Sequence, residues 1–333
     1  MKSLPATNEN DLDRYYIPPS STCWTGRDDE PNSRLFQQIQ ALDCRNLPSS
    51  LPPLGIALLG FSCDEGVLRN QGRLGAAQGP ESLRKALRNL PLPPDKTFSI
   101  WDAGTVICTN GDLETAQQVL GKLVSQLRQR GAFVVVLGGG HEVAWGHFQG
   151  LVDSTGLDVV NFDAHFDLRP LLSGGKGSSG TCFRQMHGMC QAEKIPWRYA
   201  CLGIQPFGNT SSLFDYAASI GTYHCLAEAM VSQPERVHEA LATWLSSSHR
   251  IYLTLCLDVF AAAYAPGVSA PQAMGLSPQT LLPFFRQVLQ SGKVIGFDVA
   301  ELNPTYDRDD QTAALAAYFV AEVCYQCHFI SAK

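Results

Sequence analysis

Short apolar runs and amphipathic stretches alternate along most of this chain. The runs "LGIALLGFS" (54–62), "AFVVVLGGG" (132–140), "LDVVNFDAHFD" (157–167), "RYACLGI" (198–204), "RIYLTLCLDVF" (250–260) and "KVIGFDVAELNP" (293–304) read as buried strands. Helical spacing of apolar residues marks "GPESLRKALRNL" (79–90), where Pro80 suits a helix start, and "LETAQQVLGKLVSQLRQRG" (113–131), which ends at a glycine. "PERVHEALATWLSS" (234–247) and "SPQTLLPFFRQVLQSG" (277–292) follow the same period. Continuous apolar strands alternating with helices predict an α/β fold of three layers, a mainly parallel central sheet with helices on both faces. Residues 1–50 are polar and proline-dotted, which predicts an N-terminal extension packed on the domain. With no internal repeat or low-complexity linker, residues 51–333 are expected to form a single domain.

Composition narrows the partners. The 333 residues are 45% hydrophobic and 17% charged, as in ordinary globular proteins, and the net charge of −6 argues against nucleic acid or an anionic membrane. The N-terminal residues lack the apolar core of a secretory signal, and no run approaches the ~18 to 20 apolar residues of a membrane span, so a cytoplasmic protein is expected. Eleven cysteines without framework spacing predict reduced thiols. The letters "CYQCH" at Cys324–His328 match a haem-attachment pattern, but they fall in the helix-like run "QTAALAAYFVAEVCYQC", where cysteines three apart share a packed face. No haem is expected.

In a parallel α/β sheet, ligands bind beyond the carboxyl ends of the strands. His141 follows the glycines of "GGGHE", and "NFDAHFD" sets Asp163, His165 and Asp167 at alternate positions, which period two would aim at one face. Crowded ionisable groups at the mouth of a buried strand need a compensating partner, and a divalent cation is the simplest one. Cys256 and Asp258 repeat the spacing in "LCLDVF", and Glu301 ends the last strand. Imidazole with carboxylate suits Mn, Zn, Ni or Fe(II), and this many ligands suits two metals sharing carboxylates.

These motifs, from "LGIALLGFSCDEGVLRNQGRLGAAQGPESLR" through "VAELNPTYDRDDQTA", resemble the ureohydrolase family of arginase and agmatinase. The resemblance implies an arginase-like fold, a homo-oligomer and two divalent metal ions, with Mn2+ as the expected metal. Its metal ligands fall on His141, Asp163, His165, Asp167 and Asp258. Cys256 stands where the family usually has a bridging aspartate. A thiolate there would favour Zn2+ or Fe2+, and an inert buried thiol is the other reading.

Within the family, "GGGHEVAWGHFQGL", "NFDAHFDLRP", "SSGTCFRQM", "LGIQPFGNT" and "YAPGVSAP" resemble the formimidoylglutamase branch. That likeness implies a small anionic, amino-acid-derived substrate, N-formimidoyl-L-glutamate, cleaved to L-glutamate and formamide by hydroxide attack on the formimidoyl carbon. Asp167 would pass the proton to the departing nitrogen, and Glu301 would hold the substrate's cation. Arg169 and Arg184 are expected to bind substrate carboxylate, with Gln205 and Asn209 as neutral donors and Ser179 where arginases carry a histidine. The alternatives are an agmatinase or guanidinobutyrase type of amidinohydrolase and a metal-depleted binding protein of the same fold.

Overall fold

Ten strands join in one sheet in the computed structural model, which describes residues 9–27, 30–52, 55–92 and 99–326. The strands are β1 (Tyr16–Ile17), β2 (Ile39–Ala41), β3 (Ile56–Ser62), β4 (Ile100–Ile107), β5 (Phe133–Leu137), β6 (Asp158–Phe162), β7 (Tyr199–Ile204), β8 (Tyr223–Leu226), β9 (Ile251–Cys256) and β10 (Val294–Ala300). The helices are α1 (Glu9–Tyr15), α2 (Glu65–Arg69), α3 (Gly79–Leu87), α4 (Leu113–Gln129), α5 (Val143–Leu151), α6 (Cys182–Glu193), α7 (Ser211–Ser219), α8 (Ala227–Ser232), α9 (Pro234–Ser246), α10 (Pro278–Gln290) and α11 (Gln311–Gln326). Strand order is β1-β4-β3-β5-β10-β9-β6-β7-β8, with β2 also on β4. All pairings are parallel except β1 with β4.

Alternation within the strands divides the interior into two cores. On β5, Val135 and Leu137 face a core that takes Leu83 and Leu87 of α3, Leu241 of α9, Phe285 of α10 and Phe319 of α11. Val134 and Val136 face the other core, with Leu120 of α4, Phe148 of α5, Met186 of α6 and Ala217 of α7. A strand buried on both faces must be apolar throughout, which is why these strands read as continuous runs in the sequence.

The described part of the first 50 residues is joined to the sheet edge. β1 pairs with β4 through Tyr16↔Val106, β2 pairs with it through Ile39↔Ile100, and Tyr15, Tyr16, Leu35 and Cys44 are buried. β4 itself, "IWDAGTVI", is not evident from the apolar pattern because Asp102 and Gly104 interrupt it. Asp102 is nonetheless buried. Arg84 grips it in a two-pronged pair (2.8 and 3.0 Å), and Trp24 Nε1 (2.8 Å) and the Gly104 amide (3.0 Å) complete its hydrogen bonding.

β5, β10, β9 and β6 lie side by side at the centre, although the chain visits β6 directly after β5 and fills the gap with β9 and β10 much later. This crossover opens a crevice beyond the carboxyl ends of those four strands. Among the described residues, no helix is long and apolar enough to cross a membrane. Cys324 is buried within α11, while Cys327 and His328 of the haem-like pattern lie outside the described residues.

Candidate metal centre

Each of the four central strands delivers part of one cluster. After β5 the chain passes beneath Cys63 so closely that a Cβ on Gly139 would lie 1.9 Å from the Cys63 carbonyl oxygen, so only glycine fits. His141 emerges from this loop, and its backbone N–H donates to Glu301 Oε1 (2.9 Å), tying the end of β5 to the end of β10.

Strand alternation, which the sequence spacing predicts, is not what gathers the next three candidate ligands. β6 stops at Phe162, so Asp163, His165 and Asp167 sit in the turn beyond it. A parallel strand must turn away at its end, and this turn is held by the Asp163 carboxylate accepting the His165 amide (2.7 Å). Likewise β9 ends at Cys256, and Asp258 lies in a single 3-10 turn. Asp167 (φ 47°) and Glu301 (φ 69°) occupy the left-handed region, which costs a non-glycine residue roughly 1–3 kcal/mol and is typical of functional sites.

The donor atoms converge without satisfying one another. His141 Nδ1 lies 3.0 Å from Asp163 Oδ2 and 3.0 Å from Asp167 Oδ2, yet has hydrogen-bond geometry with neither. His165 Nδ1 lies 3.1 Å from Asp258 Oδ2 and 3.5 Å from Asp163 Oδ1. His141, Asp163 and Cys256 form one group with ligand atoms within 4.8 Å, as do His141, Asp167 and Cys182, and Asp163, His165 and Asp258. Asp163 belongs to groups on both sides, as a bridging ligand requires. Asp258 Oδ1 and Glu301 Oε2 are buried with no hydrogen-bond partner among the described residues.

With protein groups alone, the electrostatics are adverse. Burial, then Glu142 and Asp258 nearby, push the Glu301 carboxyl well above its ordinary range. Burial also raises Asp258, against the pull of His165. His141 and His165 are raised well above the usual imidazole value, because the carboxylates beside them outweigh a burial effect of opposite sign. Buried carboxylates and imidazoles whose lone pairs share one space fit divalent cations, which would replace mutual repulsion by coordination.

The far side of His141 is braced. Its Nε2 lies 3.1 Å from Thr254 Oγ1, and Thr254 donates to Asp298 Oδ1 (2.5 Å). Asp298 also accepts from Tyr252 OH and faces His147 Nδ1 (2.7 Å). An outer partner of this kind fixes the ring's orientation and which nitrogen is free to ligate. The sequence reading did not include Thr254 and Asp298, although an aspartate inside the apolar run "VIGFDVA" is itself a signal of a buried polar hub.

Above the centre opens a cavity of about 280 Å³, whose walls include His141, His165, Asp167, Cys256, Asp258 and Glu301. Arg169, Ser179 and Asn209 also line it. Two expected substrate contacts do not. Arg184 donates to the Leu168 carbonyl (3.1 Å) and stacks on the Tyr216 ring, while Gln205 donates to the Met274 carbonyl (2.7 Å); each side chain is taken up in bracing a loop. The segment after α2 supplies residues that the sequence reading missed: Asn70, which donates to Ser179 Oγ (3.1 Å), and Arg73, held by the Val268 and Ser269 carbonyls. Their signal is the polar break "RNQGR" just beyond the end of β3.

Hydrolases that use two adjacent cations build centres of this kind, and fold and donor set together define the protein as a binuclear metal-dependent hydrolase. The chain belongs to the arginase family, whose model matches residues 54–325. It is 43% identical over 311 residues to formimidoylglutamase of Legionella pneumophila (strain Lens), covering 92% of this chain and 97% of that one. With formimidoylglutamase of Clostridium tetani (strain Massachusetts / E88) the identity is 39% over 322 residues, covering 92% and 95%. Among solved structures, formiminoglutamase of Trypanosoma cruzi with Mn2+2 superimposes with a TM-score of 0.68 at 27% identity, covering 83% of this chain and 92% of that one. Formimidoylglutamase of Bacillus subtilis shares the fold, with a TM-score of 0.79 at 20% identity, covering 91% and 95%.

Proposed function

We propose that the protein hydrolyses N-formimidoyl-L-glutamate to L-glutamate and formamide. The observation that carries this reading is the polarity of the cavity. Its floor is a cluster of carboxylates, and at its rim stands Arg169, an exposed residue whose guanidinium has no hydrogen bond or ion pair among the described residues. A ligand that fits carries a cationic amidine at one end and carboxylate at the other. Agmatine lacks the carboxylate and would leave Arg169 with nothing to bind. The curated relatives at 39–43% identity support the same choice.

The chain's own residues divide the work. Arg169 forks a substrate carboxylate, and Asn70, Asn209 and Ser179 offer neutral hydrogen bonds along the wall. Glu301, with Oε1 engaged by the His141 amide, turns its unpartnered Oε2 to the formimidoyl nitrogen and orients the planar carbon. His141, Asp163, Asp167, His165 and Asp258 would hold the cations, with Cys256 beside them. Bound there, the cations supply Lewis-acid polarisation and a nucleophile from water near neutral pH. Asp167, which lines the cavity, carries the proton to the departing glutamate nitrogen. Mn2+ suits the imidazole and carboxylate set, and Zn2+ or Fe2+ gains if the Cys256 thiol joins it.

The test is hydrolysis of formimidoylglutamate, agmatine and arginine, each with Mn2+, Zn2+, Ni2+ and Fe2+. Turnover confined to formimidoylglutamate is expected, and preferred turnover of agmatine would overturn the reading.

A further inference from the structure

Cys63 and Cys108 follow directly on β3 and β4, strands whose last residues Ser62 and Ile107 are register partners. The Cys108 amide donates to the Ser62 carbonyl (3.2 Å) in the last rung of that ladder, which leaves the two cysteines side by side at its end. Adjacent strands run about 4.8 Å apart, and a disulfide bridges Cα atoms roughly 4.4 to 6.8 Å apart. Both side chains belong to the same core face and both thiols are free. Cys108 is partly exposed, whereas Cys63 is buried behind it.

Cys63 reaches towards the metal centre as well. Its carbonyl accepts the Gly140 amide (2.9 Å) and lies where a Cβ on Gly139 would come within 1.9 Å of it, in the loop that carries His141. Beside that loop the buried Glu142 carboxylate accepts the Gly66 amide at Oε1 (2.9 Å), while Oε2 has no partner among the described residues.

We infer that Cys63 and Cys108 form a peroxide-sensitive dithiol whose disulfide disturbs the loop carrying His141. Cys108 is the more accessible of the two thiols, which favours it as the group that meets peroxide. Its sulfur attacks one peroxide oxygen, the O–O bond breaks, and Cys108 becomes a sulfenic acid. Cys63 then attacks that sulfur, the S–S bond forms and the oxygen leaves as water. Overall, two thiols and one hydrogen peroxide give one disulfide and two waters, with two electrons passing to the peroxide. The bridge draws Cys63 towards β4 and so displaces the carbonyl that holds the Gly140 amide beneath the Gly139–His141 loop. This inference concerns the fold around His141 and is independent of the substrate assigned above.

The experiment treats the metal-loaded protein with hydrogen peroxide, alkylates the remaining thiols and maps the peptides by mass. A peptide linked through Cys63 and Cys108 is expected, with activity falling roughly tenfold or more, as when a metal site's outer contacts are disturbed, and returning with dithiothreitol. Cys108→Ser and Cys108→Ala should keep basal activity and lose the reversible inactivation. If both cysteines of the wild-type protein remain alkylatable after inactivation, or if Cys108→Ser is inactivated as reversibly as wild type, the inference fails.

Discussion

Two buried polar clusters share this sheet, and they differ in what they lack. At the edge, Arg84 and Asp102 are both buried, and the Asp102 oxygens take the Arg84, Trp24 and Gly104 donors while Arg84 also reaches Thr105 and the Gly104 carbonyl. At the centre, His141 Nδ1, Asp258 Oδ1 and Glu301 Oε2 are equally buried and have no hydrogen-bond partner among the described residues. A satisfied network holds a fold together, here the N-terminal segment against β4. An unsatisfied one of mixed imidazole and carboxylate is complete only with cations.

The largest separation of the two clusters comes from removing a shared ligand. Asp163→Ala or His165→Ala should abolish bound metal and turnover together, read by metal analysis and activity on one preparation. Chelation should lower the melting temperature of the wild type but not of Asp163→Ala, since a ligand at about 1,000 times its Kd stabilises by about 4 kcal/mol.

Asp102→Ala should do the reverse, costing about 3–5 kcal/mol in denaturant unfolding because Arg84 is left buried and uncompensated. Its folded fraction should keep the wild-type metal content. A deficit in metal per folded chain would dissolve the distinction between the two clusters.

Smaller effects sharpen the picture at the cavity rim. Arg169→Ala should raise KM for formimidoylglutamate and lower kcat/KM by roughly 10- to 100-fold, as expected for one lost charge-assisted contact of about 1.5–3 kcal/mol. Metal content should not change.

The smallest lies on the surface, where Arg286 pairs with Glu322 across α10 and α11 (2.5 Å). Opposing some burial, Arg286 holds the Glu322 carboxyl below its ordinary value of 4.5, so the pair's contribution is full above that value and is lost as pH falls through the lower folded value. With Arg286 substantially exposed, Glu322→Gln should cost under about 1 kcal/mol at pH 7 and nothing in strong acid, measured by unfolding across pH.

The sequence made the central sheet legible because strands buried on both faces cannot hide their apolar runs. It left β4 obscure, since a buried aspartate paired to an arginine elsewhere in the chain looks like a loop residue until the partner is seen. The candidate ligands were readable as a set that the fold brings together, but not through the alternation expected of them: turns beyond β6 and β9 bring the carboxylates together. Loop residues were the least legible. Arg169 and Arg184 look alike in the sequence, and only folding shows that Arg184 stacks on Tyr216 and donates to the Leu168 carbonyl while the Arg169 guanidinium lines the cavity without a partner among the described residues. Cys256 keeps its place beside His141 and Asp163, so its substitution by Asp asks whether the thiol ligates. If it does, Mn2+ affinity should hold or rise in Cys256→Asp; if not, titrations of the two proteins should coincide.

The most direct test of the cation-filled centre is a Mn2+ titration of chelator-stripped protein, following bound metal and activity together. Binding that approaches two ions per chain, with activity rising in step and neither seen in Asp163→Ala, is the expected result. Full activity in the stripped protein, or Mn2+ binding unchanged by Asp163→Ala, would contradict it.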